Sequence, residues 1–388
     1  MKVVVADFRV TGNEHLVINS AILEGLQANA VESIDFFAED GHLAALTVSF
    51  PAIMAATTPH PFHRHHYPNR LKTLFFREIL LPFKLIRAMV RARKADLLLI
   101  TTITPFGHVV LNALAALLGR KTTCISLMHS ELEVMESDKR SLSQKAMRIW
   151  KNTISRHVNY VVLSPHVEKN IKPILLPRSR ISSIFHPFTT SLINTNAGSH
   201  LEKLPGQKVR IGVPGLIKND KKGTGNIFKL EARLAAAGRQ DVELYLIGRA
   251  AKGFAPPSDT RVHMPFLERS SPVPQEEFDK VISEMDLILL MYDKDSYRFT
   301  ASGAVLDAVK FGQPLYATRN PLFDYMAAEG IFPGPLSESI DSLFGEIVER
   351  LTKENLDEDM AEFSVSLDAL IKRTDPQINA SVLLEIAN

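Results

Sequence analysis

Ser302 and Gly303 open the most informative stretch of the chain, YRFTASGAVLDAVKFGQPLYAT (residues 297–318). It reads as a loop, a helix running through Lys310, a stop at Gly312 and a buried strand opened by Pro314. A Thr-Ala-Ser-Gly sequence at a helix start offers free backbone amides, a hydroxyl and the positive end of the helix dipole, which together suit a phosphate or diphosphate. Asp307 follows one turn later, where a carboxylate would accept hydrogen bonds from hydroxyl groups of a bound ligand. A second constellation, IGVPGLIKNDKKG (residues 211–223), follows a strand and places Gly215 and Lys222 where backbone can approach, and a point charge can meet, the same anion. Gly248 ends a further strand, and Phe266 lies just beyond another.

Proton transfer calls for different residues. Loops at strand ends in the first half carry Gly12, Glu14 and His15 in TGNEH, and His129 and Glu131 in HSE. A carboxylate and an imidazole in one loop, facing a phosphate site, can be tuned apart in pKa to serve as general base. Glu131 or His129 is the expected base, with Glu14 next and His15 after it. The His-rich run from His60 to His66 lacks the spacing of a metal site, since its prolines break any helix and no Cys or carboxylate is interspersed. Asp293 and Asp295 read as a polar turn. No metal is expected.

These loops need strands to carry them, and the chain supplies a regular alternation. Lys2–Ala6, Ser33–Phe37, Leu97–Thr101, Thr122–Leu127 and Tyr160–Leu163 are short apolar runs separated by helical patterns. The alternation restarts with Val209–Val213, Glu243–Ile247, Arg261–Met264, Leu287–Met291 and Pro314–Ala317. Such alternation implies right-handed crossovers and mostly parallel sheets. The expected class is therefore α/β, with two Rossmann-like doubly wound domains facing across a cleft. The expected boundaries are 1–190 for an acceptor-binding domain, 191–207 for a linker and 208–360 for a nucleotide-binding domain. Helices in 361–388 are expected to pack back towards the first domain.

In order and spacing these pieces resemble the donor-binding half of GT-B glycosyltransferases, particularly the group 1 (family 4-like) enzymes. Gly215 with Lys222-Gly223, Gly248, Val262–Phe266 and Ser302-Gly303…Asp307-Ala308…Gly312-Gln313-Pro314 carry the resemblance over roughly residues 205–350. Val161–Ser164 and Ile184–Pro187 extend it more loosely over the first half. One departure is plain: where retaining members have two Glu with seven residues between them, this chain has Phe299 and Asp307. The resemblance implies a metal-independent transferase that takes a sugar from a nucleotide-diphospho-sugar co-substrate to a glycan or lipid-linked acceptor, in polysaccharide or glycoconjugate synthesis. Inversion and retention both stay open. A nucleotide-sugar epimerase or hydrolase of the same fold is an alternative, as is a non-catalytic sugar-nucleotide-binding subunit.

Charge divides the 388 residues unevenly. The formal sum is +2, but residues 1–190 hold 23 Lys and Arg against 14 Asp and Glu, and the rest reverse the balance. Nine of those basic residues fall between Arg64 and Lys94 beside a single acid, Glu78, with bulky apolar residues interleaved. Arg77, Lys84, Arg87, Arg91 and Lys94 would face an anionic membrane or its lipid-linked acceptor, and Pro82 is expected to kink or divide the helix. Nucleic acid is not an expected partner, because the stretch has no recognition-motif context. One cysteine, Cys124, excludes a disulfide framework. The expected location is the cytoplasm, with peripheral contact at the inner face of the membrane.

Overall fold

The computed structural model describes residues 1–63, 70–118, 121–135, 141–177, 179–193, 208–218, 223–271 and 273–388. The chain divides into two compact units. The first comprises residues 1–190 with 299–301 and 373–388, and the second 191–298 with 302–372.

The first unit is built on β1 (Lys2–Asp7), β2 (Ser33–Glu39), β3 (Thr58–Phe62), β4 (Leu97–Thr102), β5 (Thr123–Met128), β6 (Val158–Val162) and β7 (Arg180–Ser183). They pair in parallel in the order β3-β2-β1-β4-β5-β6-β7. The chain starts in the middle, works out to one edge, then crosses back to fill the other. Its helices are α1 (Leu16–Ala28), α2 (Asp40–Ser49), α3 (Pro51–Ala55), α4 (Arg70–Ala92), α5 (Pro105–Leu114), α6 (Leu142–Asn152) and α7 (Pro165–Ile171). Strands β1, β4 and β5 are continuous apolar runs because both sheet faces are covered. On one face Val4, Leu98, Ile100, Cys124 and Tyr160 pack against α4, α5 and α6. Alternate residues point to the other face, where α1 lies against α14 (Pro376–Ala387) and Thr123 Oγ1 donates to the Ala387 carbonyl, 3.0 Å.

Strand β3 does not follow the apolar pattern. Its residues are TPHPF, and its two prolines, which lack an N–H, are tolerated because it is the edge strand. Helix α4 runs unbroken through Pro82. Leu81 and Leu85 on either side of the proline are 1% and 0% exposed, so packing outweighs a lost hydrogen bond and ring clash of about 3 kcal/mol.

The second unit holds β8 (Val209–Pro214), β9 (Val242–Ile247), β10 (Leu287–Leu290), β11 (Leu315–Thr318) and β12 (Leu336–Ser337), all parallel, in the order β12-β11-β10-β8-β9. Helices α8 (Ile227–Ala236), α9 (Gln275–Ile282), α10 (Gly303–Phe311), α11 (Pro321–Ala328), α12 (Ile340–Arg350) and α13 (Lys353–Thr374) complete the crossovers. Ile211, Val213, Leu246, Leu289 and Met291 join Leu230, Leu343 and Ile347 in its core. The segment expected as a strand at 261–264 reduces to one bridge, in which His263 exchanges backbone bonds with Leu244 and Leu246 of β9.

Candidate functional site

In parallel sheets, ligands bind beyond the carboxyl ends of the strands, at the point where strand order reverses. In the first unit that point lies between β1 and β4, and Asp7 ends β1 there, fully buried. Its carboxylate accepts from the backbone amides of Arg9 and Val10 (both 3.1 Å), from Asn19 Nδ2 (2.8 Å), from Thr101 Oγ1 (3.3 Å) and from Thr102 Oγ1. With its acceptor sites filled, Asp7 shapes the turn after β1 and is not available as a base. Gly12 follows with φ +53° and open space where a Cβ would stand. Its carbonyl accepts from His42 Nδ1, 2.7 Å.

His15 caps the start of α1 in the left-handed region, φ 56°, a conformation uncommon for any residue with a Cβ. Its ring lies 5.0 Å from that of His129, and its Nδ1 is buried without a hydrogen-bond partner. Burial, reinforced by His129, brings its pKa down to about 4. His129 follows β5 and donates from Nε2 to the Thr101 carbonyl, 2.8 Å, which leaves the lone pair of the neutral ring on Nδ1. Burial lowers its pKa as well. His186, after β7, is brought to about 4, again mainly by burial.

Glu131 lies beneath this group, its side chain 1% exposed. Oε1 accepts from the His129 amide (3.0 Å) and from His108 Nε2 (3.3 Å), while Oε2 meets Arg9 Nη1 at 3.3 Å. Burial alone would raise its carboxyl; the His108 hydrogen bond and charge, with His129, overcome this and bring it to about 2. A carboxylate so enclosed orients its neighbours. Glu14 is exposed. The structure therefore gathers His129 and Glu131 with His15 and Arg9, and leaves Glu14 outside that hydrogen-bonded group.

In the second unit the order reverses between β8 and β10. The loops after β8 and β9 run side by side: the Gly215 amide donates to the Ile247 carbonyl (2.9 Å), and Ile217 bridges Ala250. A Cβ at Gly248 would stand 1.9 Å from the Gly215 carbonyl oxygen, so only glycine fits there. Lys222 lies outside the described residues. Gly223, with φ +62°, backs onto the Met291 carbonyl at the end of β10.

Ser302 caps α10 in position but not by hydrogen bond. Its hydroxyl is buried against Tyr292 OH, 3.1 Å, and makes no bond to the first-turn amides. Tyr292 is itself stacked on Tyr297, 4.4 Å between centroids. Nothing lies within 4 Å of where a Gly303 Cβ would be. The amino end of α10 is thus open to an anion, with Asp307, half-buried, one turn along. Gly312 ends the helix with φ 63°. Phe266 is 7% exposed, with the Arg269 guanidinium 6.0 Å from its ring, so its side chain packs inwards.

No three metal-ligating side chains converge among the described residues. His60 Nε2 is engaged by Asp35 (2.6 Å) and His63 Nδ1 by Asp40 (3.2 Å), while His65 and His66 lie outside the described residues. Asp293 and Asp295 are both exposed.

In sequence the chain matches no family model and no curated protein. Solved structures are similar over their whole length. A sucrose-phosphate synthase from Thermosynechococcus elongatus aligns with TM-score 0.64 at 12% identity, over 99% of this chain and 98% of that one. The lipopolysaccharide outer core galactosyltransferase WaaB, in apo form, gives 0.60 at 14% identity, over 99% and 100%. The fold is GT-B. An E. coli trehalose-6-phosphate protein bound with UDP-2-fluoro glucose, TM-score 0.62 at 9% identity over 100% and 99%, shares the GT-B fold.

Sequence alone ranks His15 after Glu14 as a candidate base. The left-handed backbone and buried, unpartnered nitrogen of His15 arise from the packing of α1 against the loops after β1 and β5, and no local pattern announces them.

Proposed function

We propose that the protein is a metal-independent glycosyltransferase that takes a sugar from a nucleotide-diphospho-sugar to a glycan or lipid-linked acceptor. The observation that supports this most is the uncapped amino end of α10, beside glycine loops too tight for any side chain, in a chain with the GT-B fold. In this reading Gly215, Gly248, Ser302 and Gly303, with Lys222, surround the diphosphate, and Asp307 accepts from the ribose hydroxyls. Backbone amides and the helix dipole stabilise the charge that develops on the leaving diphosphate. His15 takes the proton of the acceptor hydroxyl as its oxygen attacks the anomeric carbon, and the carbon–oxygen bond to the diphosphate breaks. His129 shares the proton-transfer site, with Glu131 and Arg9 holding it in place.

Phe299, 1% exposed, leaves no carboxylate at the first position of the retaining pattern. A base on the acceptor then implies inversion, which the anomeric configuration of the product would reveal. Synthesis of polysaccharide or glycoconjugate in the cytoplasm is the setting this chemistry suits. A lipid-linked acceptor would be met at an anionic membrane, along the stretch that contains Arg77, Lys84, Arg87, Arg91 and Lys94.

Thermal unfolding in the presence of UDP, ADP, GDP and their sugar derivatives tests the donor site. A ligand at about a hundred times its Kd stabilises by about 2.7 kcal/mol, so one nucleoside diphosphate should shift Tm by several degrees. No shift with any of them would overturn the reading. Consumption of a sugar nucleotide with no acceptor present would instead support the epimerase or hydrolase alternative.

A further inference from the structure

The basic stretch of the sequence accounts for only part of a larger surface. Helix α4 buries Leu81, Leu85, Ala88, Met89 and Ala92, and turns Phe83, Ile86 and Val90 outwards, 68%, 41% and 60% exposed. These three are spaced to form one stripe on a helix. From Leu80 to Lys94 the chain carries Lys84, Arg87, Arg91, Arg93 and Lys94, and no acid. Arg91 is held by Asp35 at 2.8 Å, and Arg77 has a side chain outside those described.

Helix α6 repeats the arrangement. It buries Ala146, Met147 and Trp150, while Leu142 and Ile149 are 84% and 50% exposed beside Lys145, Arg148 and Lys151, again with no acid on the helix. Between them lies α5, which packs on both neighbours and carries no Lys, Arg, Asp or Glu; the short turn that extends it, Ala115–Leu118, carries none either. Phe106 and Leu117 stand outwards on it, 46% and 55% exposed. Among the described residues no ion pair engages Arg87, Lys94, Lys145, Arg148 or Lys151.

We propose that α4, α5 and α6 form one docking face for an anionic lipid bilayer, apolar along α5 and basic on both flanks. The geometry suits that partner. Exposed aromatic and aliphatic side chains enter the interface, while lysines and arginines on either side meet lipid headgroups. Among the described residues no helix is long and apolar enough to cross a membrane; the contact proposed is with the bilayer surface. This inference rests on the membrane contact in the transferase reading, extends it from one helix to three, and does not require the transferase chemistry.

Co-sedimentation with vesicles of phosphatidylcholine, alone or mixed with phosphatidylglycerol, tests it, with circular dichroism to confirm folding. The parent should prefer the anionic vesicles. An α4 pair (R87Q with K94Q) and an α6 pair (K145Q with R148Q) should each bind them about 30-fold more weakly, and F106S should weaken binding at constant charge. If the α6 pair binds like the parent while the α4 pair does not, the three-helix face is wrong and the single-helix reading stands. No preference of the parent for anionic vesicles sinks both. Binding of a single-stranded oligonucleotide together with no binding to the anionic vesicles would show a different partner and overturn the proposal.

Discussion

Replacing Glu131 with Gln changes almost no volume and removes one buried charge. In the folded protein its carboxyl is brought from an ordinary 4.5 to about 2. At about 1.4 kcal/mol per tenfold change in proton affinity, the ionised group contributes about 3 kcal/mol of stability. The loss of a partner from a buried charged pair falls in the same range, about 3–5 kcal/mol. A single amide oxygen would also have to serve Arg9 Nη1, His108 Nε2 and the His129 amide, and the amide nitrogen would face one of these donors. Between pH 4.5 and about 2 the folded carboxyl binds fewer protons than the unfolded one, so the stabilisation is complete above pH 4.5 and disappears as pH falls to about 2.

Urea unfolding at pH 7 and at pH 3 measures this directly. Trp150 is the only tryptophan, fully buried, 6.1 Å from the His108 ring, so its fluorescence follows the unit that contains Glu131. The expected difference between wild type and Glu131→Gln is about 3 kcal/mol at pH 7 and about half of that at pH 3. A difference below about 1 kcal/mol at pH 7, or one that does not change with pH, would refute the claim that Glu131 is a buried, ionised organiser of the site.

Three further outcomes follow from other parts of the structure. His15→Gln should lower transferase kcat about 10²- to 10⁴-fold with nucleotide affinity unchanged, while kcat/KM of the wild type should hold from neutral pH downwards and fall only near pH 4, where the His15 ring takes a proton; a fall centred near pH 6.5 would exclude His15 as base. Gly303→Ala meets empty space, so stability should stay within about 1 kcal/mol while diphosphate affinity in calorimetry drops at least tenfold; unchanged affinity would place the anion elsewhere. Gly25→Ala brings a Cβ to 2.1 Å from the Pro376 carbonyl oxygen in α14, and chemical unfolding should show a loss of about 3 kcal/mol.

Much of the fold was legible because buried parallel strands are written as continuous apolar runs. Val3–Ala6, Leu97–Ile100 and Leu287–Leu290 are examples, and the glycine stop at Gly312 marks the end of α10 as expected. Where reading failed, a distant contact decided. Strand β3 is specified by its place at the sheet edge and not by its Pro-rich residues, and α4 survives Pro82 because its buried leucines hold it to the sheet. The candidate site divides in the same way. His129 and Glu131 could be picked out as titratable residues after a strand, but the enclosure of Glu131 depends on His108, 23 residues earlier on a different helix. The poise of His15 depends on a backbone twist that sequence does not encode locally.

The pairing of α1 with α14 has a consequence for the growing chain. On the ribosome, residues 1–190 emerge with every strand of the first sheet, yet α1 lacks the helix that covers it, since residues 373–388 follow only after the whole second unit. The first unit must therefore wait, with the apolar side of α1 and the end of β5 open to solvent or to a chaperone, while about 180 further residues are made at about 5–20 per second. A nascent chain arrested short of residue 373 should be more sensitive to protease in α1 than the released protein, and loss of α14 should be felt first as aggregation during synthesis.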